Sequence, residues 1–546
     1  MKKAKKQMFG LRIVLLLGVV FSGALTLAPS EIVAQETFRP EEATIASVHA
    51  AMKAGKLTCR GLVQMYLDRI EAYDKKGPVI NAILEINPDA LAIADSLDEK
   101  FTKSGPVGPL HCIPVILKDN YDTADKMTTT AGSRALEGFK ASKDAFLAKQ
   151  LRDSGAVFLA KANMDEWAHA GAPGMGYSSR GGQTLNPYNL NRGPLGSSSG
   201  TGAALAANFA VVGMGTDTHG SIRYPSAGNC LVGIKPTLGL TSRAGIIPLS
   251  LNFDVGGPMT RTVEDAAITL GVLTGVDVND PATFESSGKY HRDYTKFLKI
   301  DGLKGARLGV TRMFMGGNED NDKAYLASIE VMKKMGATLI DPVAFPQDLV
   351  NNFSNIYNTI RELDFKWNLA EYLASAGPKA PVKTLAEVIA ISEAAVIANS
   401  KTPVAPDRLK IMKRAEARGP LTDPFYLRTL QSALPAVRNR ILEIMKDKNL
   451  EAIIFPTLNC PPEPWGSIKD PSFKCVGAFR GPQSSLASLS GFPQIVVPDG
   501  FAEDGLPLSI SFFGGPYSEP TLISLAYSYE QATKHRRPPK NVPPLK

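Results

Sequence analysis

The order of elements along the chain predicts an α/β fold, and three observations carry that expectation. Short apolar runs, I-P-V-I-L at 113–117, A-V-F-L-A at 156–160 and A-I-I-F at 452–455, have the length and β-branched content of buried strands. Helical stretches stand between them; in one, Leu62, Tyr66 and Ile70 recur at the four-residue spacing of a single helix face. Gly155 sits where a helix must stop, directly before the second apolar run. Helices alternating with short buried strands are the mark of an α/β architecture.

Taken in order, residues 1–34 have the layout of an export signal. Lys2, Lys3, Lys5 and Lys6 form a basic start, residues 13–28 an apolar run, and Ile32-Val33-Ala34 a cleavage site before Gln35. The rival, an uncleaved membrane anchor, needs ~20 apolar residues, and this run is short of that. No Cys lies near the site, which argues against a lipid anchor. The remainder, 35–546, is ample for one large core. Residues 40–100 read as packing helices, with Gly55 ending one and Thr58 capping the next.

Residues 106–120 hold the first chemistry. The strand ends at Lys118, and alternation puts Ile116 and Lys118 on one face, Leu117 and Asp119 on the other. An amine kept away from a carboxylate and buried can lose several units from its usual pKa of about 10.4 and serve as a base. Residues 141–155 form a helix, and the stretch from 161 to 192, rich in Gly and Asn, winds on as a loop. Asp165 and Glu166 suggest the paired carboxylates of a glycosidase, but neighbours on an extended chain point apart.

Residues 194–236 contain two Gly/Ser turns, 196–202 and 213–221, around an apolar segment, 203–212, that reads as a buried helix. Such turns leave backbone N–H groups free to face an anion. They are not a phosphate cradle, since no Lys follows either turn. A dinucleotide fingerprint lacks its third Gly at Thr218, and a G-x-S-x-G elbow is broken around Ser221. What remains is a set of hydroxyls, Ser197, Ser198, Ser199 and Ser221, in need of a base.

Lys118 in G-P-L-H-C-I-P-V-I-L-K-D-N, the turn L-G-S-S-S-G-T-G and the segment G-T-D-T-H-G-S-I-R-Y-P together resemble the three motifs of the amidase signature family. The likeness runs from about residue 40 to 540. It implies a large mixed sheet flanked on both sides by helices, with a signature core at about 60–300, a variable pocket and lid region at 315–430, and a return to the same sheet at 445–540. It also implies a catalytic set of two serines and a lysine: Ser221 as nucleophile, Ser197, preceded by a cis peptide bond, as the bridging serine, and Lys118 as base. The backbone N–H groups of Thr218, His219, Gly220 and Ser221 would form the oxyanion hole. Ser198 would help orient Lys118, Asp217 would be a supporting residue, and Arg223 would anchor the turn through its fork of donors. Cys112 and His219 stand where the family commonly has Gly, and Leu195 departs from its usual G-G-S opening. The 79 residues between Lys118 and Ser197, and the turn itself, lean toward the peptide-amidase-like branch.

The implied activity is hydrolysis of a small-molecule or peptide carboxamide through a seryl acyl-enzyme, with no metal or cofactor. The His residues show no ligand spacing. The formal charge is +8; residues 1–34 hold five bases and one acid, so the rest carries about +4 with no basic block, and nucleic-acid binding is not expected. No stable membrane association is expected after signal cleavage. Monomer and homodimer both stay open. Five Cys without a C-x-x-C leave a bridge between Cys460 and Cys475 open as well. Three rivals stand. Asp217, His219 and Ser221 suggest a Ser/His/Asp esterase, though they lie awkwardly close in sequence. An exported relative that has lost activity would be a binding protein. The amidase component of glutamyl-tRNA amidotransferase shares the family, but an export signal argues against that role.

Overall fold

The computed structural model describes residues 38–169, 172–477 and 481–545, and the expected export signal lies outside them. Residues from Phe38 onward group as one compact unit. Among the described residues, eleven strands form a single mixed sheet: β1 Ile83–Ile86, β2 Pro114–Lys118, β3 Val157–Ala162, β4 Val212–Asp217, β5 Val232–Lys235, β6 Val255–Thr260, β7 Arg307–Val310, β8 Thr338–Ile340, β9 Ala452–Pro456, β10 Gln494–Phe501 and β11 Pro507–Phe513. Their order is β1-β3-β2-β4-β6-β5-β10-β11-β9-β7-β8.

The fifteen helices are α1 Ile45–Lys53, α2 Cys59–Tyr73, α3 Ala90–Ser104, α4 Phe146–Asp153, α5 Ser199–Ala206, α6 Arg223–Gly228, α7 Val263–Leu273, α8 Glu319–Lys334, α9 Gln347–Ser375, α10 Leu385–Ile397, α11 Pro406–Glu416, α12 Pro424–Arg428, α13 Leu434–Asp447, α14 Gln483–Ser490 and α15 Glu519–Thr533, counted among the described residues. They cover both faces of the sheet, which is why its central strands, β2, β3 and β9 among them, are buried along their whole length. Alternate residues of β9 show it. Ala452 and Ile454 pack with α7, α8 and α15, while Ile453 and Phe455 pack with α9, α13 and α14.

Four expectations need correcting. Residues 40–100 are not helical throughout, because β1 pairs antiparallel with β3 and extends the sheet. The helix expected at 203–212 is α5, which starts four residues earlier and ends at Ala206; Asn208 then adopts φ +57° and turns the chain into β4. The helix expected from 141 begins only at Phe146. Within 445–540, expected to return to the sheet, residues 485–490 belong instead to α14, which Gly491 closes in the left-handed conformation at φ +74°. Thr58 caps α2 as expected, accepting from the Gly61 N–H at 3.0 Å.

Residues 347–416 form a helical cap. Phe353, Ile356 and Ile360 of α9 pack into the cluster shared with α13 and α14. Further along the same helix, Phe365, Leu369 and Leu373 join Val388 of α10 and Met412 of α11 on the core loop that carries Trp167 and Ala168. No helix among the described residues is long and apolar enough to cross a membrane.

Candidate active site

Strand pairing brings the two chemical motifs together. β2 and β4 run parallel in register, with Leu117 opposite Met214, so Lys118 and Asp217 end adjacent strands at the same edge of the sheet. Carboxyl ends of parallel strands are where α/β sheets place ligands. The turn before α5 packs onto this edge. Gly200 makes that possible, because a Cβ there would lie 2.4 Å from the Ala82 carbonyl oxygen. The Ser198 N–H donates to the Ser221 carbonyl at 3.2 Å and ties the two Gly/Ser turns to each other.

Lys118 is fully buried. Its Nζ lies 2.8 Å from Ser197 Oγ and 2.7 Å from Thr216 Oγ1. Burial pushes its pKa down to about 7, against the opposing charges of Asp165, Asp217 and Asp254. Asp119 points to the other side, as alternation predicts: it accepts from the Thr130 hydroxyl and, at 3.1 Å, from the Gly132 N–H. The Gly196–Ser197 peptide bond is cis.

Ser197 and Ser221 line one cleft with Asp165, Ala168, His169, Met175, Gly196, His219, Tyr224 and Tyr357. The turn carrying Ser221 is built around Asp217. Its carboxylate accepts from the N–H groups of Gly220 at 2.7 Å, Ile222 at 3.0 Å and Arg223 at 3.3 Å, and from Arg223 Nε and Nη2 at 3.0 Å each. Burial alone would raise the Asp217 pKa, but the Arg223 guanidinium and these bonds hold it far below the usual carboxylate range. Arg223 goes on to the Ser484 carbonyl, Ser488 Oγ and Gln494 Oε1, each at 2.9 Å. Gly220 sits at φ +100°, where a Cβ would also strike the Tyr224 ring.

Three sequence expectations change here. The Gly220 N–H is bonded to Asp217, so it leaves the set of oxyanion donors, and Thr218, His219 and Ser221 remain. Ser198 does not touch Lys118; its Oγ bridges the Thr216 N–H and carbonyl at 3.2 and 3.3 Å, so it acts on the lysine through Thr216. Cys112, at its departure from the family's Gly, is bonded to Cys59, and the open pair Cys460–Cys475 is bonded too, leaving Cys230 buried and free.

The esterase arrangement also meets an obstacle, since both Asp217 oxygens are engaged by the turn and by Arg223. The His219 ring instead lies with Nε2 2.8 Å from Ser485 Oγ. Asp165 and Glu166 diverge: the first accepts from the Gly176 and Tyr177 N–H groups, the second from the Ser179 N–H at 2.9 Å. Thr216, Tyr357 and Ser485 were not visible as site residues. Thr216 gains its role from strand register, and Tyr357 and Ser485 arrive from distant helices.

Known proteins similar to this chain are amidases, matched along most of its length. The Amidase family model matches residues 61–523. A probable amidase of Arabidopsis thaliana is 37% identical, covering 96% of either chain. A putative amidase of Schizosaccharomyces pombe is 32% identical over 92% of this chain and 87% of its own. The native peptide amidase of Stenotrophomonas maltophilia superposes with a TM-score of 0.81 at 38% identity, covering 91% of this chain and 98% of that one.

Proposed function

We propose a mechanism for a chain that belongs to the amidase family and is a hydrolase of amide bonds: Ser221 is the nucleophile, Ser197 the proton relay and Lys118 the base. The observation that carries it is a fully buried amine 2.8 Å from a serine hydroxyl that shares a cleft with a second serine. Burial keeps enough of Lys118 neutral near pH 7 to accept a proton. Ser221 Oγ attacks the carbonyl carbon while its proton passes to Ser197 Oγ, whose own proton goes to Lys118 Nζ. The N–H groups of Thr218, His219 and Ser221 face the developing oxyanion, each such donor contributing roughly 2.7–4 kcal/mol. As the C–N bond breaks, Ser197 protonates the leaving nitrogen and regains a proton from Lys118. Water then attacks the acyl-enzyme along the same relay and releases a carboxylate.

The substrate is a linear carboxamide, and the C-terminal amide of a peptide fits best. The likeness to the peptide amidase supports that choice, as do the cleft walls of Met175, Tyr224 and Tyr357, which suit an amino-acid side chain. Ammonia release from aliphatic, aromatic and peptide amides tests the reading. Lys118→Ala, Ser197→Ala and Ser221→Ala are each expected to lower kcat by about 10² or more, on the order expected for lost proton transfer or nucleophile. In the wild type, kcat/KM rises about tenfold per pH unit on the acid side and levels above a pH of about 7, because only the neutral lysine is active. Full activity in Lys118→Ala, with loss in His219→Ala, would return the base to histidine. No turnover of any amide would favour a binding protein.

We also infer export with cleavage after Ala34. Two disulfides, Cys59–Cys112 and Cys460–Cys475, support it, since such bonds persist in oxidising compartments. The mass of the protein recovered from its native cell checks this; an intact first 34 residues would refute it.

A further inference from the structure

His219 stands two residues before Ser221, and its ring is held from two directions. Nε2 lies 2.8 Å from Ser485 Oγ of α14, and the ring face stacks on Tyr357 of the cap helix α9, with centroids 4.2 Å and planes 25° apart. Tyr357 is backed in turn by the Phe253 ring at 5.4 Å and the Arg361 guanidinium at 5.5 Å. A ring bonded at its edge and stacked on its face keeps one orientation. Three elements far apart in sequence, the turn after β4, α14 and α9, thus build one rigid aromatic wall in the cleft that holds Ser221.

Resting on the mechanism above, the geometry assigns this wall a side. Ser197 must protonate the leaving nitrogen, so the leaving group approaches the turn before α5. The acyl portion is then left to the cap side. We propose that the stacked His219–Tyr357 pair is the acyl-side specificity wall, limiting the bulk of the group attached to the reacting carbonyl. His219 makes the wall because a glycine there would supply the same backbone N–H and no ring.

The test uses two substrate series with the full-length enzyme. One varies the acyl group, from propionamide to a naphthoic acid amide, over a constant ammonia leaving group. The other varies the leaving amine on one acyl group. Tyr357→Ala and His219→Gly are each expected to raise kcat/KM for the bulkiest acyl amide relative to the smallest by about tenfold or more, the scale at which pocket walls discriminate. Ser485→Ala, which releases only the ring edge, is expected to shift the same ratio less. The leaving-amine series should not move. An unchanged acyl ratio, or a shift confined to the leaving-amine series, overturns the proposal. Uniform loss in both series for His219→Gly, together with full activity in Lys118→Ala, would instead overturn the lysine mechanism beneath it. Tyr357→Ala, which has no catalytic role in either reading, then decides the wall by itself.

Discussion

The core and the cap each bury an arginine completely, and they treat it in opposite ways. Arg223, at the start of α6, reaches Asp217, Ser484, Ser488 and Gln494 with its guanidinium, and every nitrogen has a partner. Arg408, on α11 of the cap, lies over the Phe365 ring at 4.9 Å, and none of its three guanidinium nitrogens finds a hydrogen-bond partner among the described residues. Burial, with Arg361 nearby, pushes the Arg408 pKa down to about 9, against the weaker pull of Glu166. The contrast shows where the fold invests its polar groups. The turn bearing Ser221 has to present several N–H groups in one geometry, and a saturated Asp217–Arg223 pair fixes it. The cap supplies walls, which need shape and tolerate an unsatisfied donor.

This comparison can be broken at the core arginine. Arg223→Met leaves the Asp217 carboxylate buried beside three backbone donors without its counter-charge. Removing one member of a buried pair costs about 3–5 kcal/mol, so the urea midpoint of the variant should fall steeply. Activity should fall with it, since the turn loses its anchor to α14 and β10. A midpoint unchanged from wild type would mean that backbone donors alone hold the turn.

The same contrast explains what the sequence disclosed. Lys118, Ser197 and Ser221 stood out because the short motifs that carry them resemble those of the amidase signature family; a strand-end lysine or a turn serine alone would not have done so. The helices and strands of the core were legible for a different reason, since β2, β3 and β9 are buried along their whole length. β1 escaped because four residues of strand lie between helices and only pairing with β3 defines them. Thr216 escaped because its contact with Lys118 depends on the register of β2 against β4. The Cys59–Cys112 bond spans 53 residues and depends on how α2 packs beside the loop before β2, which spacing does not encode. Tyr357 was least accessible. It enters the cleft from a 29-residue helix whose pattern reports only that one face is buried.

The cap arginine sharpens the comparison from the other side. A desolvated guanidinium without hydrogen bonds is a cost that the fold carries, so Arg408→Met should exchange it for apolar contact with Phe365. Replacing buried charge by a well-packed apolar side chain is often neutral or stabilising. The variant is therefore expected between no change and about 2 kcal/mol more stable, read as an unchanged or raised urea midpoint. Met keeps much of the volume of the arginine stem, which separates loss of charge from loss of packing. If Arg408→Met instead destabilised the protein as much as Arg223→Met, the cap would hold its charge by long-range attraction to Glu166 as firmly as the core holds its own by hydrogen bonds. The division between a saturated Asp217–Arg223 pair and a tolerant cap would then fail. If stability is kept while kcat/KM drops, Arg408 is retained for its charge near Asp165, which lines the cleft, and the cost it carries is a functional one.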